Sequence, residues 1–382
     1  GRVVAMSKSL ALSTLQHEWR RFLPAIFAVA FSGLLVLVQI GLLLGILALV
    51  AVCIETSSAD LWVAYRGTPS VDMPREMDAD MEVYLRMHPE VASVEEMFWT
   101  MAEWHCASGV TLTTRLTGVD VSPGAMGLSK RLPASLRMKL NEPLTVAVDE
   151  ADRERLGVQP GDCVEVNRQK VRVVGITHGL RTVGGINVTT SATTARTLCA
   201  RPEVFEKATY FLLKLRHPEA AAAVRDALQQ GPAAKKYSVF LSPEFTNRTE
   251  MYWLLESGAG LSIGFSSLLG LIVGAVITSQ TLVGAIIASL REYAALRALG
   301  VSVRSLSLIV LEQSTWIGVI GLVFTALATF VTIFAAGFIG VSLAMPGWAI
   351  GMTCGLVLML ALGSGLWALR ALYAAEPASL LR

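Results

Sequence analysis

The sequence predicts a membrane protein with four transmembrane α-helices and a large mixed α/β extracytoplasmic domain inserted between the first and second helices. Three observations lead to this fold class. The 382 residues are 53% hydrophobic and 16% charged, against roughly 25% charged residues in soluble domains. The apolar residues form long uncharged stretches toward both ends of the chain, and the charged residues lie mainly between them. One such stretch precedes the polar region and the others follow it.

The first uncharged stretch runs from Phe22 to Ile54. As a helix it would be about 50 Å long, well beyond the hydrocarbon core of about 30 Å. The apolar segment of a cleaved signal peptide has only about 7–15 residues, so we interpret the stretch as a retained helix, predicted at 23–53. Ahead of it, leucines alternate with charged residues in segment 1–22, which predicts an amphipathic helix at the membrane surface.

The C-terminal apolar region provides the other helices. Ser257 to Leu290 is uncharged, and a second run after Arg304 is interrupted only by Glu312 before it ends at Leu369. That run is long enough for two spans, and Met345-Pro346-Gly347 has the composition of a turn between them. The predicted spans are 258–290, 305–338 and 347–371.

Basic residues beside the span ends predict the orientation. They are Lys8, Arg20, Arg21, Arg291, Arg297, Arg304, Arg370 and Arg382. The short loop at 339–347 has neither Lys nor Arg. The positive-inside rule therefore places both termini and loop 291–304 in the cytoplasm, and we separately expect the membrane to be the inner membrane of a bacterial cell. The predicted organisation is an interfacial segment at 1–22, a first helix at 23–54, an outer domain at 55–256, a three-helix region at 257–375 and a tail at 376–382.

Polar residues and glycines inside the spans are the candidate membrane sites. The polar candidates are Gln39, Gln280, Glu312 and Gln313. Such residues are often functional, although hydrogen bonding between helices explains them equally well. Glycines recur four residues apart in the pairs Gly41 and Gly45, Gly260 and Gly264, Gly270 and Gly274, and Gly351 and Gly355. This spacing allows close helix packing, either within the chain or along a seam between two copies.

The outer domain alternates strand and helix patterns. Strands are predicted at 111–121, 145–148, 163–166, 171–176 and 209–215. Helices are predicted at 75–88, 149–156 and 218–230. Cys106, Cys163 and Cys199 lie in this polar region, where one disulfide is an option if the domain is outside the cytosol.

Catalytic and nucleotide-binding patterns are scarce in the sequence. Glu103, His105 and Cys106 are clustered, but a metal or haem contact would need a second ligand pair, and surface residues on a strand or turn are the simpler interpretation. No P-loop occurs, so ATP and Mg²⁺ would be bound by another polypeptide and this chain itself is expected to carry no cofactor. The net charge of +2 gives no indication of a nucleic-acid partner.

The most informative segment is 291–302, REYAALRALGVS. It predicts a short helix with Tyr293, Leu296 and Leu299 on one side, a stop at Gly300 and a new helix near Ser302. The positive-inside rule explains its arginines. An apolar stripe on a cytosolic helix also indicates a protein partner.

This segment resembles the signature of the FtsX/MacB-type permeases, the mechanotransmission class of ABC transporters. The C-terminal AEPASLLR at 375–382 is similar to the closing motif of that family. In the outer domain, VAVDE at 146–150, LGVQPGD at 156–162 and VVGI at 173–176 resemble its MacB-like domain. QHEWRRFLP at 16–24 and SADLWV at 58–63 look like the DevC-type subgroup.

The resemblance implies a non-catalytic permease subunit that couples ATP hydrolysis by a separate cytosolic ATPase to export of a lipid, glycolipid or other hydrophobic substrate. It implies as partners a second permease copy, membrane lipids and, in the DevC-type subgroup, a periplasmic adaptor and an outer-membrane channel. It also implies a coupling helix that binds the ATPase, formed by Arg291, Glu292, Tyr293, Leu296, Arg297, Leu299 and Gly300.

Three other functions remain open at the level of sequence. One is a signal relay of the FtsX type that controls cell-wall hydrolases, and another is a haem exporter with the same architecture. The third is a membrane-anchored enzyme or receptor, which the lack of a catalytic constellation and the three further helices disfavour.

Overall fold

The computed structural model describes residues 19–183, 185–199, 201, 203, 206–231, 235–288, 295, 302–339 and 343–374. The chain forms two compact units, which we call the membrane unit (1–45 and 259–382) and the outer domain (46–258). In chain order the α-helices are α1 (Trp19–Val50), α2 (Val52–Glu55), α3 (Met81–Arg86), α4 (Ala134–Leu140), α5 (Glu150–Leu156), α6 (Ala192–Leu198), α7 (Ala221–Gln230), α8 (Ser242–Met251), α9 (Ala259–Ala288), α10 (Val303–Ile339) and α11 (Gly347–Ala374). The strands are β1 (Leu61–Tyr65), β2 (Met77–Asp78), β3 (Val91–His105), β4 (Thr111–Val119), β5 (Thr145–Asp149), β6 (Cys163–Val166), β7 (Gln169–Thr177), β8 (Asn187–Ser191), β9 (Lys207–Ala208), β10 (Tyr210–Leu215) and β11 (Tyr237–Leu241).

Among the described residues, four helices are long and apolar enough to cross a membrane: Trp19–Val50, Ala259–Ala288, Arg304–Phe338 and Gly347–Arg370. They form because a helix satisfies all its backbone hydrogen bonds internally, which the bilayer core requires. The mixed α/β domain lies between the first and second of them in sequence. The predicted fold class is therefore confirmed.

The outer domain is built on one nine-stranded sheet in the order β11-β1-β10-β3-β4-β8-β5-β7-β6. Its last strand, β6, also pairs with β3. A six-stranded barrel therefore closes in the order β3-β4-β8-β5-β7-β6, and β10, β1 and β11 form an open extension of the sheet. Strand β3 belongs to both parts. Its first half pairs with β10 and its second half with β4 and β6.

The open part of the sheet is covered on both faces. One face packs an aromatic cluster that includes Trp62, Tyr210 and Phe245, all fully buried. The other face packs Leu61, Phe211 and Leu213 against α3 and α7. The barrel has its own core, which centres on the fully buried Trp104 and consists mainly of valines.

The predicted strands at 111–121, 145–148, 163–166, 171–176 and 209–215 all coincide with observed ones. The strands β1, β2, β3, β8, β9 and β11 were not predicted from the sequence. Strand β3 lacks a regular alternation because its two halves face different surroundings. Strand β8 lacks one because all five of its residues are buried, with the Thr190 hydroxyl donating to the Thr145 carbonyl oxygen at 2.7 Å.

The predicted helices are confirmed at 149–156 and 218–230, the second beginning with a 3₁₀ turn at Pro218–Ala220. The prediction at 75–88 is partly wrong, because the helix α3 covers only Met81–Arg86. Residues 77 and 78 instead form the strand β2, which pairs with β9. A sequence-distant partner thus competes with the local helical pattern.

All five cysteines are free, so the optional disulfide does not form. Cys199 is buried with its Sγ 3.1 Å from the Thr100 hydroxyl oxygen, whereas Cys163 is exposed on β6.

Candidate functional site

In the membrane unit, small and hydroxylated residues on α1 bring its backbone close to the other helices, beside a buried aliphatic cluster. Ser32 donates to the Gly270 carbonyl oxygen of α9 at 2.9 Å, and Thr325 of α10 donates to the Ala30 carbonyl oxygen at 3.2 Å. A Cβ atom added at Gly33 would lie 2.6 Å from the Thr325 Oγ1. These contacts require backbones to approach closely, which glycine and serine allow.

The predicted glycine pairs separate into two groups. A Cβ atom at Gly270 or Gly274 would collide with Leu35 or Ser32 of α1, so this pair packs within the chain. Gly264, Gly351 and Gly355 have nothing within 4 Å of such an atom. Glycines with the same four-residue spacing in sequence are therefore packed against another helix in one pair and open in others.

Arg21 connects the start of α1 to the end of α9. Its Nη2 donates to the carbonyl oxygens of Gly284 at 2.6 Å and Ala285 at 3.2 Å. Arg21 thus links the beginning of α1 to the last described turn of α9.

A cavity of about 470 Å³ lies at the same end of α9, between α9 and α11. Gln280, Val283 and Ile287 line it from α9, and Trp367 and Arg370 line it from α11. Its surface is mainly apolar, with an amide and a guanidinium group as the polar features. This chemistry suits the boundary between hydrocarbon and lipid headgroups.

The predicted intramembrane polar residues do not converge on one site. Gln280 is exposed and lines the cavity between α9 and α11. Gln313 is 3% exposed within α10, and Gln39 and Glu312 are half-buried. None of these three lines that cavity.

The proposed coupling residues Arg291, Glu292, Tyr293, Leu296, Arg297, Leu299 and Gly300 lie outside the described residues, as do segments 1–18 and 375–382. Ser302, directly after the segment, accepts the Ser305 backbone N–H at 3.2 Å with its Oγ. A serine that accepts this bond is a typical N-cap. The predicted helix start near Ser302 is therefore confirmed.

The Glu103, His105 and Cys106 cluster lies at the end of β3, where Glu103 is exposed and the other two side chains are half-buried. Within the described part of the chain, no group of three or more His, Cys, Asp or Glu side chains is placed to hold a metal ion. Their position on a strand end agrees with the simpler interpretation of surface residues.

Comparisons with known proteins give two family matches. The model of the MacB-like periplasmic core domain matches residues 22–230, more than half of the chain. The model of the FtsX-like permease C-terminal region matches residues 264–377. A comparison with curated protein sequences gives no match.

Two solved structures are each similar to about half of this chain. The periplasmic region of MacB from Actinobacillus actinomycetemcomitans is 13% identical with a TM-score of 0.36, over 52% of this chain and 95% of that one. The extracellular domain of the noncanonic ABC-type transporter YknZ from Gram-positive bacteria is 12% identical with a TM-score of 0.32, over 48% of this chain and 98% of that one.

Proposed function

Because this chain belongs to the MacB/FtsX-type ABC transporter permeases, we propose that it transmits movement from a separate cytosolic ATPase to its outer domain. In this proposal the movement exports a lipid, glycolipid or other hydrophobic substrate. The protein is a multi-pass inner-membrane component of its transporter, and its family implies a partner ABC ATPase and a dimeric assembly.

The observation that carries the proposal is the course of α9. This helix is unbroken over 30 residues, Ala259–Ala288, which is about 45 Å at 1.5 Å per residue. In sequence it connects the outer domain directly to segment 289–301, which contains the apolar stripe of Tyr293, Leu296 and Leu299. An unbroken helix transmits a displacement applied at one end to the other, because its hydrogen-bonded backbone has no hinge.

Two local features support this mechanical role. Arg21 bonds the carbonyls at the end of α9, so the beginning of α1 follows any displacement of that end. At the other end, Gly258 has φ +78° with nothing within 4 Å of an added Cβ. Glycine adopts this left-handed conformation without strain, so the regular helix begins directly after Gly258, at Ala259.

The finer assignments rest on the resemblance. We propose that both termini and loop 291–304 face the cytoplasm, since the basic residues flank those ends. We also propose a DevC-type system in which two copies of this chain act with an adaptor and an outer-membrane channel. ATP and Mg²⁺ would bind to the ATPase and not to this chain.

The coupling assignment is tested by replacing Glu292 and Arg297 with alanine in the same chain. The double variant should insert into the membrane and fold normally. It should, however, lose most of its ability to stimulate the activity of the cognate ATPase. Arg304→Ala is the matched control, because Arg304 is an exposed arginine on the first turn of α10 and outside the apolar stripe. Unchanged stimulation in the double variant would reject the coupling helix.

Transport is tested separately from coupling. The permease and ATPase are reconstituted in liposomes that contain a fluorescent lipid, and ATP-dependent extraction of the lipid is measured. Export predicts extraction that stops in the Glu292→Ala, Arg297→Ala variant. A signal relay predicts ATP-dependent change in protease sensitivity of the outer domain with no lipid extracted, and that result would reject the export proposal.

A further inference from the structure

A second cavity, of about 620 Å³, lies in the outer domain where β3 passes from the open sheet into the barrel. Trp99 and Met101 of β3, Arg115 of β4, Asn167 after β6 and Arg201 after α6 line it. Its volume is in the range of small-molecule sites in proteins, which are mostly apolar with a few placed polar groups. Neither the family match nor the proposed transport role assigns a ligand to it.

Arg115 is the unusual residue of this cavity. It lies opposite Met101 in the β3–β4 register, and its guanidinium carbon is 4.8 Å from the centre of the Trp99 ring. Its Nη1 is shielded from solvent and has no hydrogen-bond partner among the described residues. No carboxylate of the described residues forms an ion pair with it. Arg115 as a whole is half-buried, so it stays accessible from the cavity, and a partly buried cation without an anion favours an anionic ligand.

The other two polar side chains named above, Arg201 and Asn167, are already paired. Arg201 forms an ion pair with Glu76, with Nη2 and Oε1 2.9 Å apart. The Asn167 side chain donates to the Leu198 carbonyl oxygen at 2.8 Å and accepts the Glu103 N–H at 2.7 Å. Arg115 is therefore the lining cation with an unmet charge. A guanidinium stacked on an aromatic ring keeps the N–H groups of its edge for in-plane contact with an anion.

The remaining lining gives the ligand its second property. Met101 is 52% exposed and Trp99 is 6% exposed, so a flexible thioether and part of an indole border the cavity beside the cation. An exposed methionine adapts its shape to an aliphatic chain. We propose that this cavity binds an anionic amphiphile, with its carboxylate or phosphate on the Arg115 guanidinium and its aliphatic part against Met101. The site stands whether or not the ligand is the transported substrate.

The test is made on the full chain in lipid nanodiscs, without ATPase or ATP, so that its result is independent of the coupling and transport experiments. Dodecyl phosphate and dodecanoate are titrated by calorimetry, with empty nanodiscs subtracted, beside dodecyl maltoside and inorganic phosphate. Saturable binding is expected for the two anionic amphiphiles, at least about tenfold tighter than for either comparison compound. Equal binding of dodecyl maltoside would overturn the role of charge. Equal binding of inorganic phosphate would overturn the role of the ligand's aliphatic part.

Two variants locate the site. Arg115→Gln should weaken binding of dodecyl phosphate about tenfold or more, since it removes the cation. Met101→Glu should have the same effect by placing a carboxylate opposite Arg115, and its exposed position keeps the fold intact if Arg115→Gln does not fold. Arg66→Gln, at an exposed arginine of the same domain, is the control and should bind normally. Unchanged affinity in Met101→Glu, or in folded Arg115→Gln, would overturn the proposal.

Discussion

The two units of this protein are stabilised by opposite uses of their large side chains. Eight of the largest fully buried side chains are aromatic, and all except Phe22 belong to the outer domain: Trp62, Trp104, Tyr210, Tyr237, Phe98, Phe211 and Phe245. In the membrane unit the aromatic rings of Phe334, Phe338 and Trp367 are more than half exposed, and the helix contacts combine small residues with buried aliphatic ones. Water drives large apolar groups inward, whereas lipid solvates them and leaves close packing to hold the helices together.

The largest effect is expected where a small residue of the membrane unit is enlarged. Gly274→Leu places a side chain against Ser32 of α1, so α1 and α9 cannot keep their separation and folded protein should be lost. Size-exclusion chromatography of the detergent extract measures this. Gly264→Leu is the matched control in the same helix, since nothing lies within 4 Å of its added Cβ. Equal loss in both variants would contradict the packing described for α1. If Gly264→Leu folds but no longer forms a dimer, the open face at Gly264 contacts a second copy of the chain.

The next largest effect compares one substitution in both units. Phe245 is fully buried and stacks on Phe240 with ring centres 4.8 Å apart. Phe245→Ala should lower the free energy of unfolding of the outer domain by about 3–5 kcal/mol. Phe334 is 65% exposed in α10, and Phe334→Ala should change stability by less than about 1 kcal/mol. Thermal melts followed by tryptophan fluorescence compare the two, and equal shifts would refute the contrast between the units.

A moderate effect is expected for a half-buried ion pair of the outer domain. Arg196 donates two hydrogen bonds to Glu96, at 2.6 and 2.5 Å, and lies over the Phe98 ring at 5.5 Å. Arg196→Lys should cost about 1–2 kcal/mol, because lysine reproduces neither the paired bonds nor the stacking. Arg172→Lys should change stability by less than about 0.5 kcal/mol, since its pair with Glu142 is exposed. Chemical denaturation measures both. An equal loss of stability in Arg196→Lys and Arg172→Lys would show that the paired bonds and ring contact of Arg196 add nothing to stability.

The smallest effect concerns an exposed pair of the same domain. The hydrogen bond and charge of Glu90, 2.9 Å from the His217 Nδ1, raise the pKa of His217 above its ordinary 6.5. The contribution of the pair to stability is therefore complete below pH 6.5 and is lost as pH rises through the folded pKa. Titration of the His217 ring by NMR should show the raised pKa, and Glu90→Gln should return it toward 6.5. An identical titration in the variant would exclude the ion pair as the cause.

The parts of the fold that follow local rules could be predicted. The spans were placed within a few residues of their observed bounds. A bilayer requires a long uncharged helix, and such a helix can be recognised from its own stretch of sequence alone. The strand at Cys163–Val166 was predicted with its observed ends, since turn residues flank it on both sides. Even the start of α10 follows from one residue, Ser302, which caps it.

The candidate sites could be predicted less well, because they depend on neighbours that are distant in sequence. Nothing local distinguishes Gln280, which lines a cavity, from Gln313, which is buried in α10. Trp99 and Arg115 lie on neighbouring strands and meet because β3 and β4 pair in one register. The coupling residues from Arg291 to Gly300 remain a prediction from sequence.

The sequence by itself therefore determined the topology: four apolar helices, a polar domain after the first, and the family to which both parts belong. Tertiary structure alone decided that β3 serves both the barrel and the open extension, that Gly274 is packed while Gly264 is open, and that the half-buried Arg115 has no carboxylate partner among the described residues. The physical reason is range. The cost of a charge or an open backbone in lipid acts on each segment separately, whereas packing, strand pairing and burial of charge depend on which distant residues the fold brings together.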